Sequence, residues 1–155
     1  MVRLFLTGLV LCALTIGTRA EEKADKDNAK LLHVFNLTAI AIGKKDLAIA
    51  KKYAEDCRQT AEGSQNPQQV KQAHELAGRI ALAEKDYGKA VAELEQANQQ
   101  NPRNLYRLSQ AYQSKGDNAK AQEFLTKAAQ FNSLPNLNYA FIRTKVQKVG
   151  SGKKA

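Results

Sequence analysis

The 155-residue sequence predicts an all-α fold, a short α-solenoid of about three helix-turn-helix units followed by a C-terminal capping helix. Two observations predict this class. First, two stretches repeat the same residue types 31 residues apart, and a fixed period of this kind is typical of repeat architectures. Second, the small and apolar residues within each stretch are spaced by three, four and seven residues, which places them on one face of a helix. The recurring positions are His74, Ala77, Gly78, Ala81, Asp86, Ala90, Leu94 and Ala97, matched by Leu105, Leu108, Ser109, Tyr112, Asp117, Ala121, Leu125 and Ala128.

The first element, residues 1–20, has the layout of a secretory signal peptide. Arg3 supplies a positive start, residues 4–17 form an apolar run, and small residues precede a cleavage site after Ala20. Retention as a membrane anchor is the alternative, although a spanning helix needs about 20 apolar residues. Residues 21–30 follow as a polar lead-in. The layout predicts export, with the periplasm as the expected compartment and full secretion as the alternative.

The solenoid domain is predicted to cover residues 31–149, and its first unit residues 31–64. Apolar or small positions precede Lys45-Asp46 and others follow it, as expected for two helices and a tight turn. This copy is offset from the next by a surplus of residues in the polar stretch 58–69. The positions that carry the pattern are Val34, Leu37, Thr38 and Ala41, then Ala50, Ala54 and Cys57.

The second unit is predicted at residues 71–101 and the third at residues 102–134. Asp86 can cap the second helix of its unit, because its carboxylate can accept the free amide hydrogens of the first turn. Pro102 ends one unit and opens the next, since proline suits the first turn of a helix. A capping helix is predicted at residues 136–148, and residues 150–155 form a flexible basic tail. The apolar stripe of that helix is Leu137, Ala140 and Phe141, with Thr144 as a further candidate.

The second unit resembles the tetratricopeptide repeat, whose pattern is W-x2-L-G-x2-Y, then A-x3-F, then P. Ala77-Gly78 stands at the Leu-Gly position, Ala90 and Leu94 stand at A-x3-F, and Pro102 matches the final proline. His74 and Ala81 depart from the two aromatic positions. The resemblance implies a right-handed solenoid in which the first helix of each unit lines a concave groove. In this family the groove commonly holds an extended peptide or a helix of a partner.

The resemblance also implies which residues face that groove. Arg103 and Arg107 are four residues apart with Tyr106 beside them, and guanidinium groups can fork onto a carboxylate. The family's carboxylate clamp needs further polar residues where Phe35, Ala39 and Leu76 stand, so that clamp is not expected. A site for an acidic or C-terminal peptide remains open, with merely solvated arginines as the alternative. The predicted partner-binding residues are Phe35, Glu75, Arg79, Arg103, Tyr106, Arg107 and Gln110.

The sequence predicts no enzyme, no metal site, no cofactor and no small-molecule substrate. The two histidines, His33 and His74, fall in different units, whereas a catalytic or metal site needs several such groups together. Neither an HExxH pattern, nor a paired cysteine motif, nor a phosphate-binding loop is present. Loss of Cys12 with the signal peptide would leave Cys57 alone, so no internal disulfide is expected.

The predicted function is therefore an exported interaction module that holds a protein or peptide in its groove. One alternative is a binder of anionic lipid or polysaccharide surfaces, because the chain carries a net charge of +9. Nucleic acid is not an expected partner. Another alternative is a permanent structural subunit of an envelope assembly, or a homo-oligomer formed through the first helix, which is apolar nearly all round. The basic residues near the C-terminal end are Arg143, Lys145, Lys148, Lys153 and Lys154.

Overall fold

A computed structural model describes residues 5–64, 66–131, 142 and 144–146, with side chains from residue 21 onward except at 23 and 24. The residues that it describes contain helices and no strand, which confirms the all-α prediction. Six helices have defined ends, and residues 142 and 144–146 are also helical. The six are α1 (Phe5–Gly43), α2 (Leu47–Ser64), α3 (Pro67–Ala83), α4 (Tyr87–Gln96), α5 (Pro102–Lys115) and α6 (Asn118–Gln130).

The helices pack in consecutive antiparallel pairs, as the repeat predicts. The pairs are α1 with α2, α3 with α4, and α5 with α6. Each new pair then packs on the one before it, because α3 contacts both α1 and α2, and α5 contacts both α3 and α4. This stacking of nearest neighbours is the arrangement of an α-solenoid.

The sequence between helices determines where each one begins. Asp46, Asp86 and Asp117 precede the second helix of the three pairs, and each side chain accepts a hydrogen bond from a backbone N–H three residues ahead, at 3.0–3.1 Å. Asn66 and Asn101 precede the first helices α3 and α5, where each is followed by a proline in the first turn. Capping aspartates thus begin the second helices, and Asn-Pro pairs begin α3 and α5.

Three helices are longer than the repeat suggests. Helix α1 runs without interruption from Phe5 to Gly43, through both the predicted signal segment and the polar lead-in, and cleavage after Ala20 stays a prediction. Helix α2 continues through most of the polar stretch 58–69 to Ser64, so the surplus residues lengthen a helix. Helix α3 starts at Pro67, ahead of the predicted start of its unit at residue 71.

The core is a series of small clusters along the stack. Ala50, Ala90 and Ala121, the equivalent small residues of the three second helices, are all buried, as the repeat predicts. Cys57 is also fully buried, in a cluster with Leu31, Val34, Ala61 and Leu76. Burial raises the pKa of the Cys57 thiol to about 11, which disfavours the reactive thiolate.

The C-terminal end of the described chain supports the prediction of a capping helix in part. Ile142 and Val146 are buried against Leu105 of α5 and Leu125 of α6. Thr144, which the sequence placed with the apolar stripe, lies half a turn from both and is exposed. The predicted stripe of Leu137, Ala140 and Phe141 and the basic tail lie outside the described residues. Within the described residues, no helix has an apolar stretch that qualifies as a membrane span.

Candidate functional site

All seven predicted partner-binding residues lie on the first helices of the three pairs. Phe35 is on α1, Glu75 and Arg79 are on α3, and the other four are on α5. Helix α3 lies between α1 and α5 and contacts both. We call the surface that these three helices form the groove face.

Glu75 lies at the centre of the groove face and is only 8% exposed. Its Oε1 accepts a hydrogen bond from Arg107 Nη1 at 3.1 Å, and its Oε2 accepts one from Asn104 Nδ2 at 3.1 Å. Arg79 Nη1 lies 4.0 Å from the same Oε1, at the limit of an ion pair. The structure thus brings three predicted residues together, and Glu75 and Arg107 bind each other.

Asn104 is part of this site, and the sequence did not predict it. Its side chain is fully buried, and besides Glu75 it binds the backbone oxygen of Asn98 and, through Oδ1, Arg107 Nη1 at 2.9 Å. Asn104 lies four residues before the buried Leu108, in the stripe that packs against neighbouring helices. A polar residue at such a position needs buried hydrogen-bond partners. An asparagine in the apolar stripe of α5 could therefore have indicated a buried polar site.

Positive charge exceeds negative charge on the groove face. The side chains of Arg79, Arg107 and Glu75 are 17%, 21% and 10% exposed, so water screens them only in part. Burial, followed by repulsion from Arg79, lowers the pKa of Arg107 to about 10, while Glu75 opposes the shift. Burial likewise lowers the pKa of Arg79, with Glu75 opposing and Arg103 adding to the shift. Arg79 and Arg107 therefore share one carboxylate, that of Glu75.

An apolar wall lies beside the arginines on α1. The Arg79 guanidinium carbon lies 5.9 Å from the centre of the Phe35 ring, within the range of a cation–π contact. Phe35 is half-buried, and Leu32, one turn before it on α1, is 60% exposed. An exposed leucine next to a half-buried phenylalanine offers apolar surface for a partner.

The other predicted residues on α5 are Tyr106, Gln110 and Arg103. Tyr106 is half-buried and packs against the cluster that includes Leu105 and Leu125. Gln110 is exposed. Arg103 is half-buried and acts on Arg79 and Arg107 through its charge. Nothing in these contacts assigns Tyr106 or Gln110 a role in binding, so for them the sequence prediction stands as a prediction.

The later part of the helical repeat matches a known family. Residues 81–135, from the end of α3 through α6 and beyond, match the model of the tetratricopeptide repeat. Over these residues the chain is a tetratricopeptide repeat. No curated protein and no solved structure matches it.

The protein also has a concave surface that includes residues of the second helices α2 and α4. A cleft of about 510 Å³ lies between α2, α3 and α4. Its floor is formed by small and apolar residues, among them Ala73 and Ala77, and at its edge His74 Nδ1 lies 2.8 Å from Glu93 Oε2. His74, a packing position in the repeat, is thus half-buried at the edge of a cleft and bound to a carboxylate.

The other surfaces named by the sequence are seen only in part. Of the five basic residues near the C-terminal end, Lys145 is described and exposed, and the other four lie outside the described residues. On α1, Leu32 and Ile40 are exposed to 60% and 53%. His33 is exposed and lies apart from His74. In the described part of the chain, no three histidine, cysteine, aspartate or glutamate residues are grouped as metal ligands would be.

Proposed function

We propose that this protein is a non-enzymatic tetratricopeptide repeat scaffold that binds a protein partner in a concave groove formed by α1, α3 and α5. The family generally provides protein-interaction surfaces, and this supports the broad class. The observation that carries the assignment is the groove face itself, where the exposed Leu32 lies one turn from the Phe35 and Arg79 pair. Aromatic and arginine side chains are the residue types enriched at interface centres.

The test is affinity purification from the native cells, followed by mass spectrometry, with charge-reversal variants. Leu32→Glu places a negative charge on the apolar wall of α1, and Arg103→Glu reverses a positive charge on the α5 side of the groove face. Lys52→Glu, an exposed residue of α2, makes the same change of charge away from the groove face. We expect both groove variants to lose a partner that the wild type and Lys52→Glu retain. The same set of captured proteins for all four chains would overturn the assignment.

We also propose that the protein acts outside the cytoplasm, in the periplasm or after secretion. The apolar run at residues 4–17 after Arg3, with small residues before Glu21, supports this compartment. Mass spectrometry of the N-terminal peptide from fractionated cells tests it. A protein that starts at Glu21 in the extracytoplasmic fraction is expected, and an intact N-terminus in the cytoplasmic fraction would contradict the proposal.

A further inference from the structure

We propose that the groove face selects a partner segment that carries internal acidic side chains next to apolar ones, with Arg79 as the main residue that receives the acid. This inference rests on the proposed function, because it names the chemistry of the partner for the same surface. It is argued from the unequal charges of the groove face, from the unequal pairing of its arginines and from the apolar wall beside them.

Positive charge remains on the groove face after the internal pairing. Among the described residues, Glu75 is the carboxylate that acts on Arg79 and Arg107, so two guanidinium groups share one negative charge. Guanidinium groups that are partly withdrawn from water repel each other more strongly than they would in bulk solvent. A ligand carboxylate would reduce that repulsion, so charge complementarity favours an acidic partner.

Arg79 and Arg107 differ in the hydrogen bonds that they make within the groove face. Arg107 Nη1 donates to both Glu75 and Asn104, at 3.1 and 2.9 Å, and these partners hold it in place. Arg79 Nη1 lies 4.0 Å from Glu75, too far for a hydrogen bond. Its guanidinium lies instead over the Phe35 ring. Arg79 is therefore the arginine that can turn N–H donors to an incoming carboxylate without breaking a short internal bond.

An apolar surface on α1 lies beside Arg79. Phe35 lies under the Arg79 guanidinium, and Leu32 extends the same strip of α1 with most of its side chain in water. Burial of an exposed leucine by a partner contributes about 25 cal/mol for each Å² of apolar area removed from water. A segment with apolar side chains on one side and acidic ones on the other would cover both walls at once.

The structure favours acidic side chains within the segment over a free C-terminal carboxylate. The additional polar residues that a terminal carboxylate would need on α1 are replaced by Phe35 and Ala39, both half-buried. Leu76 on α3, at the third such position, is fully buried in the core. The groove face thus offers one cationic side and one apolar side, which an internal acidic and apolar segment can match.

The experiment measures binding of labelled synthetic peptides by fluorescence anisotropy. Three helices spaced at about 8–10 Å span roughly 20 Å, which an extended peptide of about eight residues covers. The first probe alternates glutamate and leucine and ends in an amide. The second replaces each glutamate by glutamine, and the third replaces each leucine by serine. A fourth probe has the first sequence with a free carboxyl end.

We expect the first probe to bind about tenfold more tightly than the second, since a hydrogen bond to a charged group is typically worth this factor or more. We expect a loss of similar size for the third probe, because the leucines that it lacks would have buried apolar area. The free carboxyl end should change the affinity of the first probe less than twofold, and added salt should weaken that affinity. Arg79→Gln should reduce the affinity about tenfold, whereas Lys52→Gln, which removes one positive charge from α2, should leave it within twofold. Circular dichroism checks that each variant is folded.

Several results would overturn the inference. These are equal affinity for the glutamate and glutamine probes, a loss in Lys52→Gln as large as in Arg79→Gln, tight binding that needs the free carboxyl end, or no binding of the first probe at about 1 mM protein. The comparison of wild-type protein with the probes and with salt needs no variant, so it decides even if Arg79→Gln unfolds. If Leu32→Glu still loses its cellular partner while glutamate and glutamine probes bind alike, the scaffold function stands and the acidic preference falls. If neither assay responds to groove variants, both fall.

Discussion

Gly78 lies where α3 and α4 come closest, and its lack of a side chain is what allows this contact. A Cβ added there would lie 2.6 Å from Leu94 Cγ and 3.2 Å from the Leu94 backbone nitrogen. Leu94 is fully buried and cannot move aside without disturbing the core. We expect Gly78→Ala to lower the free energy of unfolding by about 1–3 kcal/mol, since overpacking outweighs the better helix propensity of alanine. Denaturant unfolding monitored by circular dichroism measures this.

Gly63 in α2 provides the matched control for Gly78. A Cβ at Gly63 would meet nothing within 4 Å, so only the propensity difference remains. Gly63→Ala should therefore leave the stability unchanged or raise it by up to about 1 kcal/mol. If both variants changed stability in the same direction, the close approach at Gly78 would not be the controlling contact.

Residue by residue, the sequence predicted positions on the groove face better than it predicted their partners. The helical period and the family pattern placed Glu75, Arg79 and Arg107 on one face, and the structure brings these three together. The pairing of Glu75 with Arg107 could not be predicted, because it joins residues 32 apart through the stacking of α3 on α5. Asn104 was not predicted for the same reason. Its side chain bonds Glu75 of α3 and the backbone oxygen of Asn98, and the packing of the segments brings both to it.

At the scale of elements, the three turns inside the helix pairs have the same geometry in spite of different sequences. In each turn two backbone N–H groups bond back to carbonyls three and five residues earlier, which closes the preceding helix as in a Schellman motif. The residue in the left-handed conformation is Gly116 in the third pair, with φ of 91°, but Lys45 and Lys85 in the first two, with φ of 61° and 64°. Left-handed backbone costs about 1–2 kcal/mol for a residue with a side chain.

The turn geometry predicts that glycine is better than lysine at residue 45. Lys45→Gly relieves the left-handed strain, and the greater freedom of glycine in the unfolded chain offsets part of the gain. We expect a net increase of about 0.5–1 kcal/mol in the free energy of unfolding, and the same sign for Lys85→Gly. The midpoint of urea unfolding at unchanged slope would report it.

Lys44, the neighbouring residue, separates backbone strain from loss of a surface charge. Lys44 is not among the positive-φ residues, and its N–H bonds to the Ile40 carbonyl as in a helix. Lys44→Gly should lower the stability by about 0.5–1 kcal/mol. A similar effect of both substitutions would show that the left-handed conformation of Lys45 is not under strain in solution.

Helix lengths were harder to predict than helix positions. The repeat located all three pairs, their turn aspartates and the cap at Asp86. The polar stretch after Cys57, however, has no apolar period from which the end of α2 could be predicted. Helix α2 continues there because Arg58 bonds Glu55 and Glu62 along one face, while Ala61 is buried on the other. Side-chain pairs three and four residues apart support such an extension.

At the scale of the whole molecule, stability is distributed over separate clusters instead of one central core. One cluster joins the first pair to α3, another joins the second and third pairs, and a further one joins the third pair to Ile142 and Val146. In such a stack each unit depends mainly on its neighbours. A change at one end should therefore be felt locally before it is felt at the other end.

The helical segment around Ile142 is where this expectation can be measured. Ile142 is 5% exposed and contributes to the cluster that covers Leu125 and Ala128 of α6. Ile142→Ala should lower the opening free energy of α6 by about 2–4 kcal/mol, because truncation of a buried isoleucine removes transfer free energy and leaves a cavity. Amide hydrogen exchange resolves the effect by element, and the amides of α2 should keep their protection. Thr144→Ala, a change at an exposed residue two positions away, should affect α6 much less than Ile142→Ala. Equal loss of protection in α2 and α6 would mean that the stack opens as one cooperative unit, whereas no change in α6 would mean that Ile142 does not cap the solenoid.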